Sequence, residues 1–209
     1  MNRRDVLQQL GALALLAGSA GRALAQGQTY TLVEPPVPTD APGKIEVLEF
    51  FHYACPHCHD FDPLLRGWLK KLPADVAFSR VPAIWNSQLK NLARVYYALL
   101  VTKHLDALHE KVFVAVQQER ERLYEEDSLR EWIGRQKGVD VKAFMEVYKS
   151  FGVNASVGRA EQLARAYKLD GVPLLAVGGR YLTSASMAGN SHEAALKEVD
   201  RLIEKVRRG

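Results

Sequence analysis

The sequence predicts an α/β fold in which a block of helices interrupts a small sheet. Three observations carry this. Ile45-Glu46-Val47-Leu48-Glu49-Phe50-Phe51 is a β-branched and aromatic run, and helical spacing and a second strand, Val76 to Val81, follow it. Between about Asn86 and Phe151, roughly 65 residues show helical periods only. After that block the chain returns to a short hairpin around Gly178-Gly179 and a terminal amphipathic helix.

The elements follow in order. Met1-Asn2-Arg3-Arg4 is a basic start, Leu10 to Ala20 is apolar but too short to span a bilayer, and Ala23-Leu24-Ala25 offers a small-x-small cleavage pattern. Residues 1–25 therefore read as a cleaved export signal, with an uncleaved anchor as the alternative. Arg3-Arg4-Asp5-Val6-Leu7 only loosely matches a twin-arginine signal. Removing this segment takes away Arg3, Arg4 and Arg22 against Asp5, so the net charge falls from +4 to +2. Neither value points to a nucleic-acid partner. Gln26 to Gly43 holds Pro35, Pro36, Pro38 and Pro42 and reads as an extended lead-in. Phe61, Leu64, Leu65, Trp68, Leu69 and Leu72 recur at helical spacing up to Pro73.

Within the helical block, Leu89, Leu92, Val95, Tyr96 and Leu99 make one apolar face, and Leu108, Val112, Phe113 and Val116 make another. Leu129, Trp132 and Ile133, then Val141, Phe144, Met145 and Tyr148, continue the pattern. A further helix is expected over about Ser156 to Tyr167. Gly171-Val172-Pro173 then leads into Leu174-Leu175-Ala176-Val177, a two-residue Gly178-Gly179 turn, and Arg180-Tyr181-Leu182. The last helix is expected from about Ser191 to Val206; its basic flank, with Lys197, Arg201, Lys205, Arg207 and Arg208, suits a solvated helix end.

Cys55-Pro56-His57-Cys58 holds the only two cysteines in the chain. It sits where the first strand turns into the first helix, and Pro56 suits the first helical turn because its missing N–H is not needed there. A pair of this spacing suits disulfide exchange, metal ligation or haem attachment, and His59 completes a Cys-x-x-Cys-His run. In an exported chain with no other cysteine, a working pair is favoured over a structural staple.

Together these residues resemble the DsbA family of exported thiol:disulfide oxidoreductases. The resemblance rests on Glu49-Phe50-Phe51 ahead of the cysteine pair, on Gly171-Val172-Pro173, on the inserted helices, and on Pro63, eight residues after Cys55. It implies a thioredoxin-like fold with an inserted helical domain. The thioredoxin-like part is expected over residues 26–85 and 156–209 and the insertion over 86–155. It also implies a protein that donates its disulfide to reduced, newly exported polypeptides in the periplasm. A membrane quinone-linked partner of the DsbB kind would reoxidise it, and no cofactor beyond the Cys55–Cys58 disulfide would be needed.

The residues themselves then take expected roles. Cys55, at a helix start, receives free backbone N–H groups and the positive end of the helix dipole, which favour its thiolate. His57 adds a donor or partial charge, with an inert solvated side chain as the alternative. Cys58, one turn in, resolves the mixed disulfide. By the resemblance, Pro173 is cis and faces the cysteines, and Val172 offers backbone groups to substrate. Related isomerases usually carry Thr at the Val172 position, so Val favours an oxidase. Glu49 shares a strand face with Val47 and Phe51, and burial there would raise its pKa and suit proton transfer beneath the cysteines. The alternative is an exposed Glu49, or an exposed Glu46. Asp62 and Arg80 match charged family positions near this acid, and a surface ion pair accounts for them equally well.

Four rivals remain at this level. Haem would need His59 and a distal Met145 or Met187, but the apolar strand feeding the motif argues against a helical cytochrome. Zinc on Cys55, Cys58 and two of His52, His57 and His59 would be crowded and lacks a second ligand pair. A non-catalytic chaperone could use Phe51, Tyr53, Trp85, Leu174 and Met187 as an apolar patch, although core packing suits most of them. An isomerase or reductase of the same superfamily is the nearest alternative. About 18 residues between Ala25 and the first strong strand leave no room for the amino-terminal dimerisation domain such isomerases carry, so a monomer is expected.

Overall fold

A computed structural model describes residues 28–209, so the expected leader over residues 1–25 lies outside the described residues. The first strong strand falls where the apolar run places it: β2 (Ile45–Phe51) is a central strand, flanked by β3 (Val76–Pro82) in parallel and β4 (Leu174–Val177) antiparallel. A parallel neighbour needs a crossover, and α1 (Pro56–Leu69) supplies it. β5 (Tyr181–Thr183) pairs antiparallel with β4, and β1 (Thr31–Leu32) pairs antiparallel with β5, giving the order β1-β5-β4-β2-β3.

Strand alternation sorts β2 into two layers. Val47 points to the face covered by Phe61 and Leu65 of α1 and by Leu196, Val199, Leu202 and Ile203 of α7 (His192–Arg208). Leu48 and Phe50 point the other way, against Ala160, Leu163 and Tyr167 at the end of α6 (Phe151–Ala166). Phe50 and Phe61 are 0% and 1% exposed, which by apolar transfer is worth about 2–3 kcal/mol each.

The helical block forms α2 (Ser87–Val101), α3 (Leu105–Gln117), α4 (Glu126–Gly134) and α5 (Val141–Tyr148), continuing into α6. Its apolar faces close on one another and on Phe51, Tyr53 and Cys58, so the helical core runs without a break to the cysteine turn. Asn86, Asp140 and Ser150 cap α2, α5 and α6 by accepting from backbone N–H groups three residues on, at 2.8, 3.0 and 3.2 Å.

Several boundaries differ from the sequence reading, among them that α1 ends at Leu69 and α7 at Arg208. The helix expected from Ser156 begins at Phe151, because Ser150 caps it and Phe151 itself stays exposed, so the apolar period starts late. The Pro-rich lead-in contains β1, and beyond it Val33 N–H donates to the Arg180 carbonyl at 2.8 Å and Val37 N–H to the Gly179 carbonyl at 2.9 Å. At the hairpin, Gly178 and Gly179 have φ of 58° and 70°, and Arg180 N–H closes the turn on the Val177 carbonyl at 3.1 Å. Strand pairing resumes with Val177 opposite Tyr181, which leaves Arg180 outside the ladder. A side chain at Gly179 would meet the Val37 carbonyl oxygen at 2.0 Å, so this glycine is required by the lead-in as well as by the turn.

Candidate active site

The cysteine turn is built by a helix that begins without the usual cap. Cys55 is the N-cap of α1 with extended backbone (φ −95°, ψ 115°), Pro56 follows at the first helical position, and no side chain caps the helix. There is no acidic residue in the first turn. The side-chain oxygen that Asn86, Asp140 and Ser150 supply to such a helix start is here replaced by the Cys55 sulfur, which the His57 and Cys58 N–H groups favour as a thiolate. Both cysteines are free thiols and both are buried, Cys55 at 7% exposure and Cys58 at 0%.

Their protons are pulled in opposite directions. A hydrogen bond from the Cys58 thiol, helped by the backbone N–H groups of Cys58 and His57 and by the His57 charge, outweighs burial and lowers the Cys55 pKa from 9.0 to about 6. Burial pushes the Cys58 thiol far up, and its bond and proximity to Cys55 push the same way. The outer sulfur is set to be a thiolate while the inner one keeps its proton.

Around the pair, Pro56 and His57 are exposed, and Val172 and Pro173 are half-buried. The Val172–Pro173 peptide is cis, and the Cys55 Sγ donates to the Val172 carbonyl at 3.5 Å. The sequence-predicted residues Cys55, His57, Pro56, Val172 and Pro173 therefore share one surface, and Cys58 is fully buried behind it. A small cavity on it is lined by His57, Val172, Pro173, Ser184, Asn190 and His192.

Beneath the pair lies a buried charged layer. Glu49 is 2% exposed and faces Arg80 across the β2–β3 register; the Arg80 Nε donates to its Oε2 at 2.9 Å. The Arg80 Nη2 donates to Asp62 Oδ1 at 2.8 Å, and Arg66 reaches Asp62 Oδ2 at 3.0 Å. Burial raises the Glu49 pKa to about 7 against the pull of Arg80, with the Asp62 charge adding to the rise. Burial also opposes ionisation of Asp62, but its contacts with His109, Arg80 and Arg66 outweigh it and hold that carboxyl below the ordinary range. The surface ion pair weighed for Asp62 and Arg80 is thus a buried network. Glu46 is buried too, accepting from the Asp40 N–H at 2.9 Å, so neither glutamate is the exposed one.

The sequence reading missed two residues of α3. His109 is 5% exposed, its Nδ1 2.7 Å from the Tyr53 hydroxyl and its Nε2 3.5 Å from Asp62 Oδ1. Gln117 donates from Nε2 to the Tyr53 carbonyl at 2.8 Å and the Cys55 carbonyl at 3.0 Å. They lie eight residues apart, close enough to two turns to share the helix face turned to the cysteines. Periodicity marks that face as inward but cannot say that polar residues on it grip the cysteine turn.

Of the candidate apolar patch, Phe51, Tyr53 and Leu174 are core, Met187 is half-buried, and Trp85 is 49% exposed with its ring edge-on to His52. His59 stacks flat on Phe113 at 5.1 Å. Among the described residues, no three metal-ligating side chains are grouped to hold an ion, and no helix is long and apolar enough to cross a membrane.

Comparison with known proteins points one way. The model of the DSBA-like thioredoxin domain matches residues 69–199. The thiol:disulfide interchange protein DsbA of Bordetella parapertussis is 47% identical over 202 residues, covering 95% of this chain and 96% of its own. That of Pseudomonas aeruginosa is 37% identical over 207 residues, covering 98% and 97%. The crystal structure of Pseudomonas aeruginosa DsbA superposes with a TM-score of 0.83 at 37% identity, over 87% of this chain and 93% of that one. The oxidoreductase NmDsbA1 from N. meningitidis gives 0.78 at 30% identity, over 87% and 93%.

Proposed function

Because this chain belongs to the DsbA family of thiol:disulfide oxidoreductases, we propose that Cys55 and Cys58 are its exchanging pair and that it runs as an oxidase. The observation that carries this is the start of α1, which has no side-chain cap and places the His57 and Cys58 N–H groups where they favour a Cys55 thiolate. In the oxidised protein, a substrate thiolate attacks the Cys55 sulfur and the Cys58 sulfur leaves with the bonding pair. Buried and with its pKa pushed up, Cys58 takes a proton. A second substrate thiolate attacks the substrate's own sulfur in the mixed disulfide, and Cys55 leaves as a thiolate. The substrate has lost two electrons and gained a disulfide; the protein has gained both electrons as a dithiol.

The low Cys55 pKa supports the oxidising direction twice. A stabilised thiolate is a better leaving group, and it lowers the free energy of the reduced form. Glu49, which holds a proton up to about pH 7, is the group proposed to exchange it with Cys58. Val172 and Pro173 are proposed to receive the substrate backbone beside the sulfur, where the Val172 carbonyl oxygen lies 3.5 Å from the Cys55 Sγ. The proposed substrates are reduced, exported polypeptides, with a DsbB-like, quinone-linked membrane protein as the reoxidant, in the periplasm. The chemistry is carried by the protein's own disulfide, with no added cofactor.

The reading is tested by equilibrating the pair with glutathione. An oxidase is expected to sit well above thioredoxin's potential, by more than about 60 mV, since each tenfold in equilibrium constant is about 30 mV for two electrons. A value at thioredoxin's would replace the oxidase with a reductase.

A further inference from the structure

We propose that His109 is a positioning residue for disulfide exchange: an imidazole delivered by the inserted helices that holds Asp62 ready for Arg80 and so governs proton exchange at Glu49. The inference rests on the reading of Glu49 as the proton-exchanging group.

The geometry begins with the imidazole's surroundings. Tyr53 reaches it from the turn after β2, Asp62 and Arg66 from α1, Arg80 from β3, and Tyr96 from α2 with ring centroids 6.1 Å apart. Burial lowers the His109 pKa, and the nearby Arg80 and Arg66 charges act the same way against the opposing pull of Asp62. The ring is therefore neutral at neutral pH, and only one of its nitrogens carries a hydrogen. The Tyr53 hydroxyl, 2.7 Å from Nδ1, donates to that nitrogen because a phenol keeps its proton here; burial raises the Tyr53 pKa well above its ordinary value. The hydrogen is then on Nε2.

That Nε2 is fully buried and has no hydrogen-bond partner within bonding distance. It lies 3.5 Å from Asp62 Oδ1, too far for a full bond but close enough for an N–H dipole to stabilise a carboxylate in a low-dielectric site. The same oxygen accepts from Arg80 Nη2, and the Arg80 Nε serves Glu49. One guanidinium is thus divided between two carboxylates, and His109 supports one of them. Without that support Asp62 draws more on Arg80, Glu49 receives less compensation for its burial, and Glu49 holds its proton more firmly.

The direct test is a 13C NMR titration of the reduced protein labelled at glutamate carboxyls, with Glu49 assigned by the signal lost in Glu49→Gln. His109→Phe is expected to raise the Glu49 midpoint by at least about half a unit, roughly threefold in proton affinity. His109→Gln, whose amide can accept from Tyr53 and donate to Asp62, is expected to return most of that shift. If His109→Phe does not fold, Tyr53→Phe carries the same test, since losing the hydroxyl frees the tautomer; a smaller upward shift is expected. A Glu49 midpoint unchanged to within about 0.2 unit in the folded variant, or one displaced equally by Phe and Gln, overturns the proposal. The underlying reading has its own readout: if Glu49→Gln leaves the pH profile of exchange unaltered, the role of Glu49 falls, whatever the titration of His109→Phe shows.

Discussion

The two sides of the cysteine pair are built by opposite means. Above it, Pro56, His57, Val172 and Pro173 form a rim that is open or half-open, and from it His57 acts on Cys55 through its backbone N–H and its charge, beside the larger effect of the Cys58 thiol. Below it, Glu49, Arg80, Asp62, His109 and Tyr53 form a floor of buried side chains with charge paired against charge. The Cys58 thiol, with His57 on the rim, draws the proton from the outer sulfur; burial keeps one on the inner sulfur. The proposed exchange, in which one thiolate is released outward and the other is reprotonated inward, needs both environments within one helical turn. The difference teaches that potential and proton handling are separable properties of this site, and the following experiments try to break that separation.

The largest effect is expected at the sulfurs themselves. Cys55→Ser should abolish oxidation of a dithiol peptide, by at least about a thousandfold, because no electrophilic sulfur is left. Cys58→Ser, offered oxidised glutathione, should attack one of its sulfurs through the Cys55 thiolate, release one glutathione thiolate and stop at the mixed disulfide, visible as a stable adduct by mass spectrometry. Oxidation by Cys55→Ser at near wild-type rate would mean the activity is not exchange at this pair.

Next comes the floor. Arg80→Met leaves Glu49 and Asp62 buried with no guanidinium between them, and breaking such a network typically costs about 3–5 kcal/mol. Urea denaturation should show that loss at pH 8, and the loss should shrink at pH 5, where Glu49 with a pKa near 7 is already protonated. The sign follows from the direction of the shift: Glu49's folded pKa lies above its unfolded value, so its ionisation opposes folding as pH rises through 7. An Arg80→Met penalty independent of pH would mean that the floor does not titrate as described.

The legibility of the two regions in the sequence follows the same division. The rim is contiguous or nearly so: Cys55 to Cys58 is one tetrapeptide, and Val172-Pro173 announces itself before an apolar strand. Glu49 was readable because strand alternation places it with Val47, and its register against Arg80 follows once β2 and β3 are parallel. Burial of Asp62 and Arg80 was not readable, because a charged residue on a helix or strand looks the same whether solvent or a partner satisfies it. His109 and Gln117 were hidden further, since they come from α3, more than 50 residues beyond the cysteines, and only the packing of the insertion brings them in. At the periphery, β1 is only two residues long, and the exposed Phe151 concealed the start of α6.

The rim makes its own pH prediction, of intermediate size. The folded Cys55 pKa of about 6 lies below its unfolded value of about 9, so the thiolate's contribution to the reduced protein is complete above 9 and disappears as pH falls through 6. At pH 7 it is worth on the order of 1 kcal/mol, and at pH 5 it is nearly gone. The stability of the reduced form relative to the oxidised form should therefore decline by roughly 1 kcal/mol between those pH values. His57→Ala should raise the Cys55 midpoint, read from thiolate absorbance near 240 nm, without moving Glu49. Movement of both midpoints together would erase the distinction between rim and floor.

The smallest expected effect lies at Gln117, where the two regions meet. Its Nε2 is shared between the Tyr53 carbonyl, on the strand side of the turn, and the Cys55 carbonyl, which also receives N–H groups from Cys58 and His59 at 3.2 Å each. Gln117→Ala removes one bifurcated donor, leaving the Cys55 carbonyl with two partners and the Tyr53 carbonyl with none from this side chain. A neutral hydrogen bond of this kind contributes about 0.5–1.5 kcal/mol, so a loss near 1 kcal/mol in urea is expected, well below that of Arg80→Met. The helix start itself remains, because the Cys58 and His57 N–H groups that act on the sulfur do not depend on Gln117. The Cys55 midpoint should accordingly move by less than about half a unit. If Gln117→Ala instead shifts it as far as His57→Ala does, the thiolate is being set by the inserted helices through the backbone of the turn, and rim and floor are one device.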